Sequence, residues 1–121
     1  MLIRSMVVTM KNAQGIGLAA PQVGINKQII VVDVGQGPQA MINPEIIRQE
    51  GQAEMEEGCL SVPHQTVKII RPYTIVVKYL DVDNCEQVEE YADILSRAVQ
   101  HEIDHLHGKL IVDYTDSHHE G

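Results

Sequence analysis

With 121 residues the chain has room for one small domain with one core, and not for two ordinary domains. Hydrophobic residues make up 44%, so a packed domain is expected, but aromatics are only 3% and all are Tyr, which leaves the core to Ile, Val, Leu and Met. Seventeen acidic residues against nine basic ones give a formal charge of −8 at pH 7, which argues against nucleic acid or an anionic membrane surface as a partner. Two cysteines, Cys59 and Cys85, do not make a secreted disulfide scaffold and fit a reducing compartment. Residues 1–10 read neither as a signal peptide nor as a membrane span, so cytoplasm is the expected location.

Leu2, Met6 and Met10 recur at four-residue spacing with Ile3 and Val7 beside them, which predicts a short helix, although the β-branched residues would also tolerate a strand. The stripe starts at once, without a capping residue or lead-in, an abrupt opening that suggests residues before it are missing. Gly15, Gly17, Pro21 and Gly24 predict a tight loop rather than a regular element. Residues 28–34 predict a strand with both faces apolar over Ile29–Val32, and residues 40–43 begin another that stops before Pro44.

Strands are predicted at 45–49 and 52–56, joined near Gly51. A further strand at 73–80 carries Tyr73, Ile75, Val77 and Tyr79 on one face, and a short edge strand follows over 85–90. From 91 to 107 the period becomes helical, with Gly108 as the stop. A short strand over 109–114 and a loose tail over 115–121 complete an α+β pattern in a single domain, 1–121.

His101-Glu102-Ile103-Asp104-His105 lies on the predicted last helix. Histidines at i and i+4 stack on one face, the spacing that lets two imidazoles chelate one ion, and Glu102 stands beside them as a general base and acid. Read alone, the same five residues are as readily two packed histidines with a surface carboxylate. The apolar stripe running into them favours a buried helix and hence a site. Cys59, in Glu57-Gly58-Cys59-Leu60-Ser61, is on local grounds a small buried thiol. As a third ligand it would complete a Cys, His, His set with a fourth position open, the arrangement of a catalytic ion rather than a structural one.

Such a set accepts ferrous iron, cobalt, nickel or zinc. Cys85 follows a turn among acidic residues and is read as structural. The run Gly15-Ile16-Gly17-Leu18-Ala19-Ala20-Pro21-Gln22 lacks both phosphate-loop signatures; its small residues allow close backbone approach, and Gln22 is either an ordinary loop amide or an oxyanion donor.

Three segments together, GIGLAAPQ at 15–22, EGCLS at 57–61 and QHEIDHLHG at 100–108, resemble in order the three motifs of the peptide deformylase family, and the likeness continues through GKLIVDY at 108–114. The resemblance implies antiparallel or mixed β-sheets packed around a central HExxH helix. It implies Cys59, His101 and His105 as ligands of one divalent ion per chain, Fe2+ first among the candidates, then Ni2+, Co2+ or Zn2+. Glu102 would be the acid–base carboxylate, with Gln22 and the backbone N–H of Leu60 on the oxyanion. Ile16 and Gly17 would pair with the substrate backbone, while Leu60, Ile94 and Ala98, with His101, would line the pocket for its side chain. Glu57 and Arg71 would form an ion pair bracing the cysteine loop.

The implied substrates are N-formylmethionyl nascent peptides, met close to the ribosome, with formate released by a chain expected to be monomeric, or else paired through its first helix. The sequence departs from the family pattern in a shorter start, residues 1–11 standing as the remnant of the first helix that the resemblance implies, in the absence of a long C-terminal helix after Tyr114, and in His64 and Thr66 where Gly and Arg are frequent. Other readings of the same residues are a catalytically weak homologue that binds metal or formylated peptide, a zinc peptidase, which the Cys59 ligand argues against, and a structural domain with packed histidines.

Overall fold

Helix α1 (Leu2–Asn12) leads into strand β1 (Gly17–Ala19), one 3-10 turn (Ala20–Val23) and strand β2 (Ile29–Val32). Strands β3 (Gln39–Glu50), β4 (Ala53–Cys59), β5 (Val62–Arg71), β6 (Thr74–Leu80) and β7 (Glu86–Ala92) follow, and helix α2 (Asp93–Leu106) comes last. The computed structural model describes residues 2–59 and 62–109, with the side chains of 59 and 62–65 outside the description. The strand expected over 109–114 and the tail at 115–121 therefore lie outside the described residues, Lys109 apart.

Strands β1-β2-β3-β6-β7 form one sheet, β4-β5 a separate two-stranded ribbon, and every described pairing is antiparallel. The continuous apolar run of β2 has a simple cause: all four residues are buried because both faces of the sheet are covered there. Ile30 and Val32 face α2, in a core with Met41, Ile75, Val77, Val99 and Ile103. Ile29 and Val31 face the other way, onto Met6 and Met10 of α1 and Leu18 of β1. Each such aliphatic side chain contributes about 1.5–3 kcal/mol by burial. The four-residue stripe of α1 thus covers one side of the sheet's β1–β2 end, and α2 lies on the opposite side. No described helix is long and apolar enough to cross a membrane.

The structure corrects the expected elements in four places. The glycine-rich stretch holds a regular strand and a 3-10 turn: β1 pairs with β2 through Gly17↔Val32, Leu18↔Val31 and Ala19↔Ile30. Strand β3 does not stop before Pro44. It passes through because its register against β6 shifts between Ile42 and Glu45, so the proline, which has no N–H to give, sits in a bulge beside Asn43 at φ 53°. Strand β5, unread in the sequence, supplies the partner for β4. Tyr73 precedes β6 and is largely exposed, while Ile75, Val77 and Tyr79 are buried on one face.

Candidate active site

Helix α2 is buried on nearly all its sides, and much of what it buries is polar: Ser96, Arg97, Gln100, His101, Glu102 and His105. A helix in a core can keep such residues only where each meets a partner. Gln100 Nε2 donates to the Pro72 carbonyl at 3.0 Å and to Ser96 Oγ at 2.9 Å. Arg97 and His101 converge on one carboxylate.

That carboxylate is Glu57, on β4. Its Oε1 accepts from His101 Nδ1 at 2.8 Å and from Arg71 Nη2 at 2.8 Å, and its Oε2 accepts from Arg71 Nε at 2.5 Å and from Arg97 Nη1. Arg71 Nη1 also bonds Asp104 Oδ2 at 2.9 Å. Burial, the largest single influence on Glu57, pushes its pKa up, but the bonds from His101 and Arg71 together outweigh it and hold the group at about 2. Glu57 is therefore ionised at neutral pH, and His101 Nδ1 must carry the hydrogen it shares. In the neutral imidazole that arrangement makes the opposite nitrogen, Nε2, the electron-pair donor.

Nε2 of His101 stands 3.1 Å from Nε2 of His105, with the rings edge to face and their centres 4.8 Å apart. Nitrogens bound about 2.0–2.1 Å from a tetrahedral ion stand about 3.3 Å apart, so this pair fits a shared ion with little movement. Among the described residues, no group of three or more His, Cys, Asp and Glu is placed to hold one ion. Of the expected third ligand the structure gives the backbone: Cys59 ends β4 opposite Val62, after a register shift between Gly58 and Cys59. The Cys59 side chain and all of Leu60 lie outside the described residues.

His101 and Glu102 line a cleft of about 760 Å³, whose walls also include Ile16, Gly17, Gln22, Glu57, Ile94 and Ala98. Residues from α2, β1, β4 and the loop around Asp33 are thus brought together from distant parts of the sequence. Gln22 Oε1 accepts the Ala19 backbone N–H at 2.8 Å, which fixes the amide with its oxygen turned to the 3-10 turn. The Ile16 carbonyl accepts the Asp33 N–H at 2.8 Å, so that acceptor is used inside the fold. Ile16 and Ile94 are about half exposed, 50% and 48%, and form an apolar rim.

Sequence reasoning did not single out Arg97, Met55, Gln14 or Asp33, all of which line the cleft. Arg97 had a readable signal. A cation within the stripe Ile94, Leu95, Ala98, Val99 requires a buried acceptor, though nothing local says which one.

A sequence model of the polypeptide deformylase family matches residues 1–120. The chain belongs to this family. It is 55% identical over 114 residues to the peptide deformylase of Halothermothrix orenii, a match covering 93% of this chain and 74% of that one. It is 50% identical over 112 residues to peptide deformylase 1 of Clostridium acetobutylicum, covering 93% and 75%.

Its fold superposes on the crystal structure of the Thermotoga maritima peptide deformylase with a TM-score of 0.91 at 47% identity, covering 93% of this chain and 77% of that one. The Synechococcus elongatus peptide deformylase, solved in complex with actinonin, gives 0.89 at 46%, covering 93% and 64%. The activity of the chain is that of the family, the metal-dependent hydrolysis of N-formyl groups from peptides.

Proposed function

We propose that the cleft between α2 and β1 removes the formyl group from N-formylmethionyl peptides, with Glu102 as the acid–base group and Cys59, His101 and His105 as the ligands of one divalent ion, ferrous iron first. The observation that carries this reading is the 3.1 Å approach of two imidazole Nε2 atoms beside Glu102, one of them oriented by an ionised carboxylate. When bound, the ion polarises the formyl oxygen and makes a water acidic enough to react near neutral pH.

The residues of the chain do the rest. Glu102 takes a proton from the attacking water and returns one to the departing amine nitrogen as the carbon–nitrogen bond breaks, leaving formate and a free amino terminus. The Gln22 amide N–H and the Leu60 backbone N–H donate to the oxygen on which negative charge builds. Ile94, Ala98 and Leu60 receive the methionine side chain. The outer edge of the chain at Gly17 of β1 and the preceding Ile16, whose carbonyl is already taken by Asp33, pairs with the peptide backbone, which leaves later residues of the substrate free to vary.

The test is formate release from formyl-Met-Ala-Ser, run without oxygen with ferrous ion and again with nickel. Turnover that disappears in Glu102→Gln supports the assignment. A parent chain that binds an ion and formylated peptide without turnover would instead make it a binding homologue.

A further inference from the structure

The ligand set proposed above is divided between two parts of the fold that share no strand pairing. Cys59 closes β4 of the two-stranded ribbon, whereas His101 and His105 sit on α2, which packs on the five-stranded sheet. The distance between them is therefore set by whatever fastens the ribbon to α2. The bonds that do so include His101 to Glu57, Arg71 to Asp104, Gln100 to the Pro72 carbonyl just past the end of β5, and three from one residue, Arg97: to the Glu57 carboxylate, to the Ile69 carbonyl at 3.1 Å and to the Ala53 carbonyl.

We infer that Arg97 is a positioning residue for the metal site, clamping both strands of the β4–β5 ribbon to α2 and holding the Glu57 carboxylate against His101. Two features of its chemistry suit the task. Arg97 lies one helical turn before His101, so its side chain rises from the same face and reaches the same carboxylate. Its planar fork presents several donors in fixed directions, so one head serves acceptors on β4 and β5 at once, which a lysine ammonium cannot reproduce.

Its guanidinium touches neither the two ligand nitrogens nor Glu102 in any described bond; it acts through Glu57 and through the place of the ribbon. The carboxylate that orients a metal-binding histidine typically changes metal affinity about 10- to 100-fold when disturbed. Arg97, holding that carboxylate, should act in the same range. The inference rests on the proposed ligand set.

The experiment uses the full chain loaded with cobalt, as parent, Arg97→Met, Arg97→Lys and Val77→Ala, the last a core truncation in β6, which belongs to the other sheet from Glu57. The readouts are the visible cobalt spectrum with its thiolate charge-transfer band, the rate of cobalt release to a chelator, and kcat and KM. Arg97→Met should release cobalt about tenfold faster or more, with shifted ligand-field bands and a lower kcat at little-changed KM. Arg97→Lys should fall between it and the parent, and it decides the matter if Arg97→Met does not fold.

Val77→Ala should lower the melting temperature and leave spectrum and release unchanged. Parent-like release and spectrum in both Arg97 variants would overturn the inference, as would equal acceleration by Val77→Ala. A parent chain that takes up no cobalt with a thiolate band would instead overturn the ligand set itself, and the role of Arg97 with it.

Discussion

Gly17 of β1 lies directly against the carboxylate arm of Glu102: an ideal Cβ on Gly17 would stand 2.5 Å from Oε2, 2.8 Å from Cγ and 3.0 Å from Cδ. The glycine serves here by absence of a side chain rather than by unusual backbone, since it is an ordinary strand residue paired with Val32. Gly17→Ala must push the Glu102 arm aside or open the β1–β2 pairing. A misplacement of about 1 Å at a reacting group costs on the order of a hundredfold. We expect kcat for formyl-Met-Ala-Ser to fall about 10- to 100-fold with metal content unchanged, and unchanged kcat would show that Glu102 has room to spare.

Glu102→Gln separates acid–base chemistry from metal binding. The amide keeps the shape of the carboxylate and cannot take the water's proton. Turnover should drop about 10²- to 10⁴-fold, while the ion measured per chain stays the same. Loss of the ion in this variant would mean that Glu102 acts on the ligands rather than on the water.

Glu57 accepts from three cationic or imidazole side chains in the interior. Glu57→Gln leaves Arg71 and Arg97 buried with a neutral partner, and removing one member of a buried charge cluster typically costs about 3–5 kcal/mol. Urea unfolding of the ion-free chain should show a loss of this order. A loss below about 1 kcal/mol, the scale of an exposed ion pair, would mean that the two guanidiniums find other acceptors.

How far the sequence foretold the molecule depends on how local each signal was. The i, i+4 histidines, the apolar run of β2 and the alternation Ile75, Val77, Tyr79 are written within one element, and the helix and strands stand where those periods put them. The Glu57–Arg71 ion pair, expected from the family resemblance, is present. The glycine-rich stretch misled because Gly15 and Gly17 read as breakers. Gly17 is small to make room for Glu102, a demand that comes from a residue far away in sequence.

Pro44 misled for a related reason, since only the pairing partner of β3 reveals the bulge that accommodates it. Arg97 went unread because its acceptors, Ala53, Glu57 and Ile69, come from strands that meet α2 only in the folded chain.

His105→Ala and Cys59→Ser each remove one proposed ligand. The parent chain, purified anaerobically with ferrous ion, should carry about one ion per chain, the stoichiometry of a single three-ligand catalytic site. Each variant should lose most of it and its turnover together. His105→Ala removes one of the two nitrogens now 3.1 Å apart, so it also tests whether that approach is an ion site or a packed pair. Metal content unchanged in His105→Ala would establish the packed pair.

The two buried tyrosines of the sheet predict the alkaline limit of stability. The Tyr79 hydroxyl donates to Glu89 Oε1 at 2.9 Å and the Tyr91 hydroxyl to Glu89 Oε2 at 3.2 Å, while Gln39 Nε2 donates to both tyrosine hydroxyl oxygens. Burial, and for Tyr91 the neighbouring Tyr79 hydroxyl, raises the Tyr91 pKa well above its ordinary 10.0; burial likewise raises that of Tyr79. Above pH 10 the unfolded chain gives up the Tyr91 proton and the folded chain keeps it, so stability falls as pH rises, by up to about 1.4 kcal/mol per pH unit for Tyr91, and the raised Tyr79 acts in the same direction.

Tyr91→Phe should cost about 1 kcal/mol at pH 7 through its lost hydrogen bonds. Above pH 10 it should lose stability less steeply than the parent, by one tyrosine's share. Denaturant unfolding at pH 7, 9, 10 and 11 checks both. Parallel curves for parent and variant would mean that Tyr91 ionises as easily folded as unfolded.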